Sequence, residues 1–355
     1  MRAHSAGRKI VFFPVTEKGH GLAAKVAEGL GGGVVLSPVE LKDGRLFPAV
    51  RRAFRDSDAL VFVCASGIAV RAIAPLLKGK HLDPAVVVTD EIGGFVISLL
   101  SGHLGGANGL AREIASLTGG VPVITTATDV MGLPCVEDIA GRFSLEIEDV
   151  KKIKAVNSAI LNGGRVIIVD EESSRLAGIK KAFGGFRSFS FRKKMPVSLK
   201  GTGAVVFITP LTGNNKKVTA RTIELRPREF VVGVGCRRGV TVGEVSDAFY
   251  GALKRAGVSP LSVRNLATID IKKDERGLVG FAKKAGLPIE FFCSAELNRI
   301  KRPPSGVSRM VKEKTGAVGV SEPAALLSSG AKRIWLKKTV SKRVTVAIAR
   351  APFTS

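Results

Sequence analysis

Tyrosine and tryptophan occur once each in this chain of 355 residues, and histidine and cysteine four times each. Each scarcity excludes something. The cysteines, Cys64, Cys135, Cys236 and Cys293, are isolated in the sequence. They form no CxxC pair and no Cys/His ligand spacing, so neither a disulfide framework nor a protein metal site is expected. Reduced thiols in a cytoplasmic protein are the expectation. With one Tyr and one Trp, base stacking on a nucleic acid would fall to phenylalanine alone. Long apolar runs are missing too, because Asp90 and Glu91 interrupt the most apolar region, and no membrane span is expected. Residues 1–16 lack the apolar core and the small-residue cleavage site of a signal peptide.

Acidic residues are also few: 30 Asp+Glu face 55 Lys+Arg, a net charge of +25. The excess is not uniform. Residues 1–130 hold 14 basic against 11 acidic side chains, residues 131–228 hold 18 against 9, and residues 229–355 hold 23 against 10. Such a field attracts polyanions: nucleic acid, acidic lipid, or a small molecule with several carboxylates. No RNP, KH, zinc-finger or helix-turn-helix signature accompanies it, so nucleic acid is disfavoured as a partner. A host-wide bias toward surface Lys and Arg would produce the same count.

The length fits two or three domains. Residues 1–130 alternate strand and helix signals, with strands at Lys9–Val15, Gly33–Leu36, Ala59–Cys64, Ala85–Val88, Phe95–Leu100 and Val121–Thr125. Helices are expected at Leu22–Leu30, after a Gly19-His20-Gly21 turn, and at Leu46–Phe54, Ile68–Leu77 and Asn108–Leu117. That order predicts an α/β domain with a largely parallel sheet, which binds ligands beyond the carboxyl ends of its strands. Residues 131–228 form a small, basic α/β region with little patterned chemistry. Residues 229–355 read as a second α/β domain. There Thr241 and Glu244 form a capping box, Ile269–Ile271 is a strand, and a helix starts with Ser321 as cap.

Two Gly-rich strand-to-helix turns stand out. In the first, Phe95–Leu100 runs into Ser101-Gly102-His103-Leu104-Gly105-Gly106-Ala107-Asn108, and Leu110, Ile114 and Leu117 then share a helix face. Unpaired N–H groups at a helix start favour anions, and glycines let a ligand approach them. The spacing is neither GxGxxG nor a P-loop. His103 there reads equally as an acid–base group or as a histidine bonded to a backbone carbonyl. Asp90 and Glu91 follow a buried strand. They could orient His103 or act as a base, or they could cap the turn into Gly93-Gly94, Glu91 more readily than Asp90. Ser66 and Gly67, with Arg71 one turn on, fit a carboxylate clamp or a plain exposed helix. The second Gly-rich turn, Gly233–Gly239, contains Gly235, Arg237 and Arg238, and anion binding is the stronger reading. Cys236 within it is a candidate nucleophile or a bystander. Glu322 reads as a first-turn carboxylate.

Taken in order, these residues resemble a known family. The segments are Ala65-Ser66-Gly67-Ile68 with Arg71, Ile73–Leu77, Lys80, Asp83–Val88, Asp90-Glu91, Ile97–Asn108 and Thr125–Asp129. They are followed by Gly235–Gly239, Ile269–Lys272 and Val320–Ala325. The series is similar to the cobalamin-biosynthesis protein CbiG family, the cobalt-precorrin-5A hydrolases of anaerobic vitamin B12 synthesis. The resemblance spans nearly the whole chain and is weakest over residues 135–228. It implies hydrolysis of the δ-lactone of a cobalt tetrapyrrole and release of a two-carbon fragment as acetaldehyde. It also implies no cofactor, since cobalt arrives in the substrate, and it gives the positive charge a polycarboxylate partner. Handover to other enzymes of that pathway is compatible with it.

The resemblance supplies the reaction and not the residue roles; from the turns themselves, His103, Asp90 and Glu91 are the expected catalytic residues. Ser66, Gly67, Arg71, Ser101, Gly102, Gly105, Gly106, Asn108, Gly235, Arg237, Arg238 and Glu322 are the expected substrate ligands. Helix-start amides over Gly105–Asn108 would form the oxyanion site. The competing readings are a non-catalytic corrinoid carrier and a basic RNA-binding module. An α/β methyltransferase would need a donor loop followed by an acidic ribose ligand, and that combination is absent.

Overall fold

The computed structural model describes residues 8–79, 82–172, 175–196, 198–213 and 221–352, so Lys80 lies outside the described residues. The chain divides into two compact units, Met1–Asp138 and Ile139–Ser355, where the sequence suggests boundaries at 131 and 229.

The first unit is built on six strands: β1 (Ile10–Pro14), β2 (Val34–Val35), β3 (Ala59–Val63), β4 (Ala85–Thr89), β5 (Phe95–Leu100) and β6 (Val121–Val123). Their order is β2-β1-β3-β4-β5-β6. All neighbours are parallel except β4 and β5, which form a hairpin with Val86 opposite Leu100 and Thr89 opposite Val96. β1, β3 and β4 are buried along their whole length, as sheets covered on both faces require. One face packs Ile10, Phe12 and Val61 against the helices Glu17–Gly29 and Ala107–Thr118. The other packs Phe13 and Phe62, stacked at 5.0 Å, against helices Leu46–Asp56 and Ser66–Ile73. The Gly19-His20-Gly21 segment is not a turn. Thr16 Oγ1 accepts from the Gly19 amide and starts the helix at Glu17, and Gly19 packs tightly there, since a Cβ would press on Val63 at 3.1 Å.

The second unit contains two sheets. One joins β7 (Leu145–Ile147), β8 (Val166–Asp170), β9 (Phe189–Arg192), β10 (Ala204–Ile208) and β11 (Thr222–Pro227) in the order β7-β11-β10-β8-β9. The basic run Phe191–Lys194 begins within the edge strand β9. The other joins β12 (Phe230–Cys236), β13 (Val263–Ile269), β14 (Ile289–Phe292), β15 (Ile334–Ser341) and β16 (Val344–Arg350) in the order β14-β13-β12-β16-β15. β13 ends where a strand was expected to begin, and Asp270–Lys272 is a single 3-10 turn. Ser321 is the first helical residue of Ser321–Ser329 rather than its cap.

Ion pairs and a hydrogen bond tie the two sheets together. Arg226, with its side chain 3% exposed, reaches Glu148 at 2.6 Å and Glu224 at 3.1 Å, and Ser259 donates to the same Glu148. Arg350 pairs with Glu172 and Glu229 while lying over the rings of Phe230 and Trp335. Trp335 stands edge-on to Phe230 at 5.4 Å and donates its indole N–H to the Ala256 carbonyl.

Candidate active site

Because β5 runs against β4, the two ends of the first sheet carry different residues. The carboxyl ends of β1, β3 and β4 gather Thr16, Ser66, Gly67, Arg71, Asp90 and Glu91 at one end. The carboxyl ends of β5 and β6 lead to Ser101–Asn108 and Thr126–Asp129 at the other. Ser101 Oγ confirms this by donating to the Asp83 carbonyl, ahead of β4. At about 3.3 Å per residue, the five residues of β4 put roughly 17 Å between Asp90 and His103. The expected pairing of Asp90 or Glu91 with His103 is therefore not formed.

Asp90 instead organises the hairpin. Its Oδ1 accepts from the Ile92 and Gly94 amides at 3.0 and 3.1 Å, and its Oδ2 from Phe95 at 2.7 Å. Burial raises its pKa, but these amide donors outweigh burial and hold the carboxyl below its usual range. A carboxylate committed in this way is a poor base, and of the two readings of Asp90 the cap of the turn into Gly93-Gly94 is the one formed. Glu91 accepts from Thr16 Oγ1 at 2.7 Å, beside the start of the Glu17–Gly29 helix. Arg71 is exposed and folds back onto the Gly67 carbonyl at 3.2 Å, next to exposed Ser66 and Gly67.

The other end holds a denser network. His103 Nε2 lies 3.0 Å from Asp129 Oδ2 and 3.1 Å from Thr128 Oγ1, with both the imidazole and the carboxylate 16% exposed. Asn108 is buried: Ser98 donates to its Oδ1 at 2.7 Å, and its Nδ2 donates to Thr126 Oγ1 and to Asp129 Oδ2 at 2.8 and 2.9 Å. Arg112, one helical turn beyond Asn108, pairs with Asp129 Oδ1. Burial works to raise the Asp129 pKa, but donation from Arg112 and Thr126 and the charges of His103 and Arg112 lower it on balance. Asp129 is thus an ionised carboxylate aimed at a ring nitrogen, the orienting half of an acid–base pair.

The glycines shape this turn more than they open it. A Cβ on Gly102 would come within 2.6 Å of Asn108 Oδ1, and one on Gly105 within 2.7 Å of the Ser101 carbonyl. Ser101 itself takes φ of +57°, a left-handed conformation unusual for a residue with a Cβ. The amides of Gly106, Ala107 and Asn108 donate to the carbonyls of His103, Ser101 and Gly102. Those three amides are spent inside the turn, so they do not form the expected oxyanion site. The Gly105 amide has no acceptor among the described residues.

The second Gly-rich turn is also internally satisfied. Gly233 and Gly235 are packing glycines, since a Cβ would strike the Ser321 carbonyl and Thr345 Oγ1 respectively. The Gly239 amide donates to Glu275 Oε1 at 3.0 Å, so the anion held by this turn is the protein's own carboxylate. Arg237 and Arg238 remain exposed just past the carboxyl end of the central strand β12, and Lys273 and Arg276 are exposed past the end of its parallel neighbour β13. Burial raises the Cys236 thiol, which removes the case for a nucleophile there. Glu322, 3% exposed, accepts from the Ser305 amide and hydroxyl and from the Lys338 amide. Buried and held by three donors, it is a structural staple.

Asp129, Thr128 and Arg112 were not among the expected site residues. Arg112 was signalled by its i+4 spacing from Asn108. The contact to Asp129 depends on β6 pairing with β5, which local pattern does not show. The fold also gathers His103, Cys135 and Glu137, with one ligand atom of each within 4.8 Å of the others, although no sequence spacing suggested a metal-ligand set.

The family model described as Cobalamin synthesis G N-terminal matches residues 48–129, and that described as Cobalamin synthesis G C-terminus matches residues 230–349. Among curated proteins, cobalt-precorrin-5A hydrolase of Priestia megaterium is 34% identical over 318 residues, covering 89% of this chain and 84% of that protein. Cobalt-precorrin-5A hydrolase of Salmonella typhimurium is 34% identical over 291 residues, 81% of each chain. A probable cobalt-precorrin-5A hydrolase of Methanocaldococcus jannaschii is 30% identical over 309 residues, 83% of this chain and 86% of the relative. The first family model encloses the His103–Asp129 network and the second the Arg237-Arg238 turn after β12, and with relatives this similar over most of their length the chain belongs to the cobalamin synthesis G (CbiG) family.

Proposed function

We propose that this chain hydrolyses the δ-lactone of cobalt-precorrin-5A and releases acetaldehyde, giving cobalt-precorrin-5B. The observation that carries the reading is the His103–Asp129 pair, an imidazole held at 3.0 Å by an ionised carboxylate in a partly open glycine turn. His103 takes a proton from water as the oxygen attacks the lactone carbonyl. Asp129 orients the ring and stabilises the imidazolium that forms. The Gly105 amide is the turn's candidate donor to the developing oxyanion. The tetrahedral intermediate collapses to a carboxylic acid, which ionises to solvent, and an alkoxide on the extruded carbon. That alkoxide becomes the aldehyde carbonyl as the carbon–carbon bond to the macrocycle breaks. The bonding pair passes into the conjugated ring, and the proton returns from His103.

Cobalt travels within the substrate in this scheme. Arg237 and Arg238 offer the acetates and propionates of such a ligand an exposed cationic strand end. We place the reaction in the cytoplasm: the four cysteines are free thiols, and among the described residues no helix is long and apolar enough to cross a membrane. The test is anaerobic incubation with cobalt-precorrin-5A and an assay for acetaldehyde. Release by the wild-type chain and its loss in His103→Gln, with corrinoid binding retained, is the expected result. Full release by His103→Gln would remove His103 as the base.

A further inference from the structure

We infer that His103, Cys135 and Glu137 form a binding site for one thiophilic divalent metal ion of the zinc type, with an open fourth position. The ligand atoms come from two separate pieces of chain. His103 lies in the turn after β5, and Cys135 and Glu137 lie where the helix Val136–Arg142 begins. All three atoms are within 4.8 Å of one another. Around a tetrahedral ion with bonds of about 2.0–2.3 Å, ligand atoms stand roughly 3.5 Å apart. Side-chain adjustments of about 1 Å therefore close the set.

The donor chemistry and the surroundings fit such an ion. Imidazole, thiolate and carboxylate are the zinc ligand types, and three protein ligands leave room for water. The Asp129 carboxylate at His103 Nε2 is the arrangement that orients ligating histidines, because a proton held between them leaves the second ring nitrogen its lone pair. Asp138 fixes the start of the Cys135 segment by accepting from its backbone amide at 2.8 Å.

The alternative of a nucleophilic Cys135 is disfavoured. The thiol is fully buried, out of reach of a bulky substrate, and a metal ion is a ligand small enough to meet it there.

The site is tested without substrate. The full-length, chelator-treated protein is titrated with Co²⁺ alone, a spectroscopic stand-in for Zn²⁺, and competed with Zn²⁺ alone. Saturation at about one equivalent, with a thiolate-to-cobalt charge-transfer band that Zn²⁺ abolishes, is expected. Cys135→Ser should lose the band, and Cys64→Ser, which alters another buried thiol, should keep it. His103→Gln and Glu137→Gln should each weaken binding at least tenfold, and Asp129→Asn by roughly 10–100-fold through the orienting carboxylate. Glu137 is only partly buried, so Glu137→Gln carries the test should Cys135→Ser fail to fold. No saturable binding, a band that survives in Cys135→Ser, or unchanged affinity in Glu137→Gln would overturn the site.

Discussion

Replacing Asp129 by Asn leaves the shape of the site nearly unchanged but reverses part of its hydrogen bonding. Asp129 Oδ2 faces His103 Nε2 and Asn108 Nδ2, and Oδ1 faces Arg112. An amide in that position must turn its NH2 group toward one of these donors, whichever way it is oriented. If the NH2 faces Arg112, the imidazole keeps an acceptor but loses the charge that stabilises its protonated form. If it faces His103, the ring is driven to the other tautomer and presents the wrong nitrogen to water. Loss of general-base function costs about 10²–10⁴ in rate. That corresponds to about 3–5 kcal/mol of barrier at about 1.4 kcal/mol per decade. We therefore expect kcat for acetaldehyde release to fall by about 10²–10⁴ with KM little changed.

Asp90→Ala is the control, because it removes the other strand-end carboxylate. Three amides lose a charged acceptor, and hydrogen bonds to charged groups are each worth about 1.5–3 kcal/mol. Two of the three are exposed and can turn to water, so we expect a loss of about 2–3 kcal/mol, seen as faster amide exchange across the β4–β5 hairpin, with kcat within about twofold of wild type. The reasoning is refuted if Asp129→Asn retains wild-type kcat, or if Asp90→Ala abolishes turnover while the fold persists.

Further outcomes follow from other contacts. Gly233→Ala would drive a methyl into the Ser321 carbonyl, and overpacking of this kind costs about 1–3 kcal/mol, so the melting temperature of the second unit should drop. Glu244, bonded to Arg343 and to the Thr241 amide, has its pKa lowered from 4.5 to about 2. Its stabilising contribution is present above pH 4.5 and is lost as pH falls toward 2, so Glu244→Gln should flatten the acid limb of a stability-against-pH curve. Arg237→Ala combined with Arg238→Ala should raise KM and reduce its salt dependence, with kcat unchanged, in steady-state assays at two ionic strengths. Zinc at saturating levels should suppress acetaldehyde release, and a chelator restore it, because a ligated His103 cannot accept a proton.

Strands were legible where period and punctuation agree. β1, β3, β4 and β5 are apolar runs closed by Thr16, Ser66, Asp90 and Ser101, and each lies where those residues suggest. The Thr241–Glu244 capping box could be read from spacing alone and is formed. The site was legible as a set of turns but not as a constellation. Whether Asp90 or Asp129 meets His103 depends on one antiparallel pairing, and strand direction is a tertiary property that periodicity does not encode. The Gly-rich turns misled for a related reason. Glycine permits close approach of any group, and here the groups that approach are the chain's own carbonyls, Asn108 and Glu275 rather than a ligand.

Trp335 gives this protein an unusual optical asymmetry. The chain's single indole and its single phenol, Tyr250, both belong to the second unit, where Trp335 packs on Phe230 under Arg350. Intrinsic near-ultraviolet fluorescence therefore watches residues 139–355, while the His103 network unfolds, binds or rearranges in the dark. A melting curve followed by emission alone would miss complete loss of the first unit. The same blindness is an opportunity. A tryptophan introduced at exposed Phe47 or Phe95, both in the first unit, would report on that unit in a protein with one other indole to subtract.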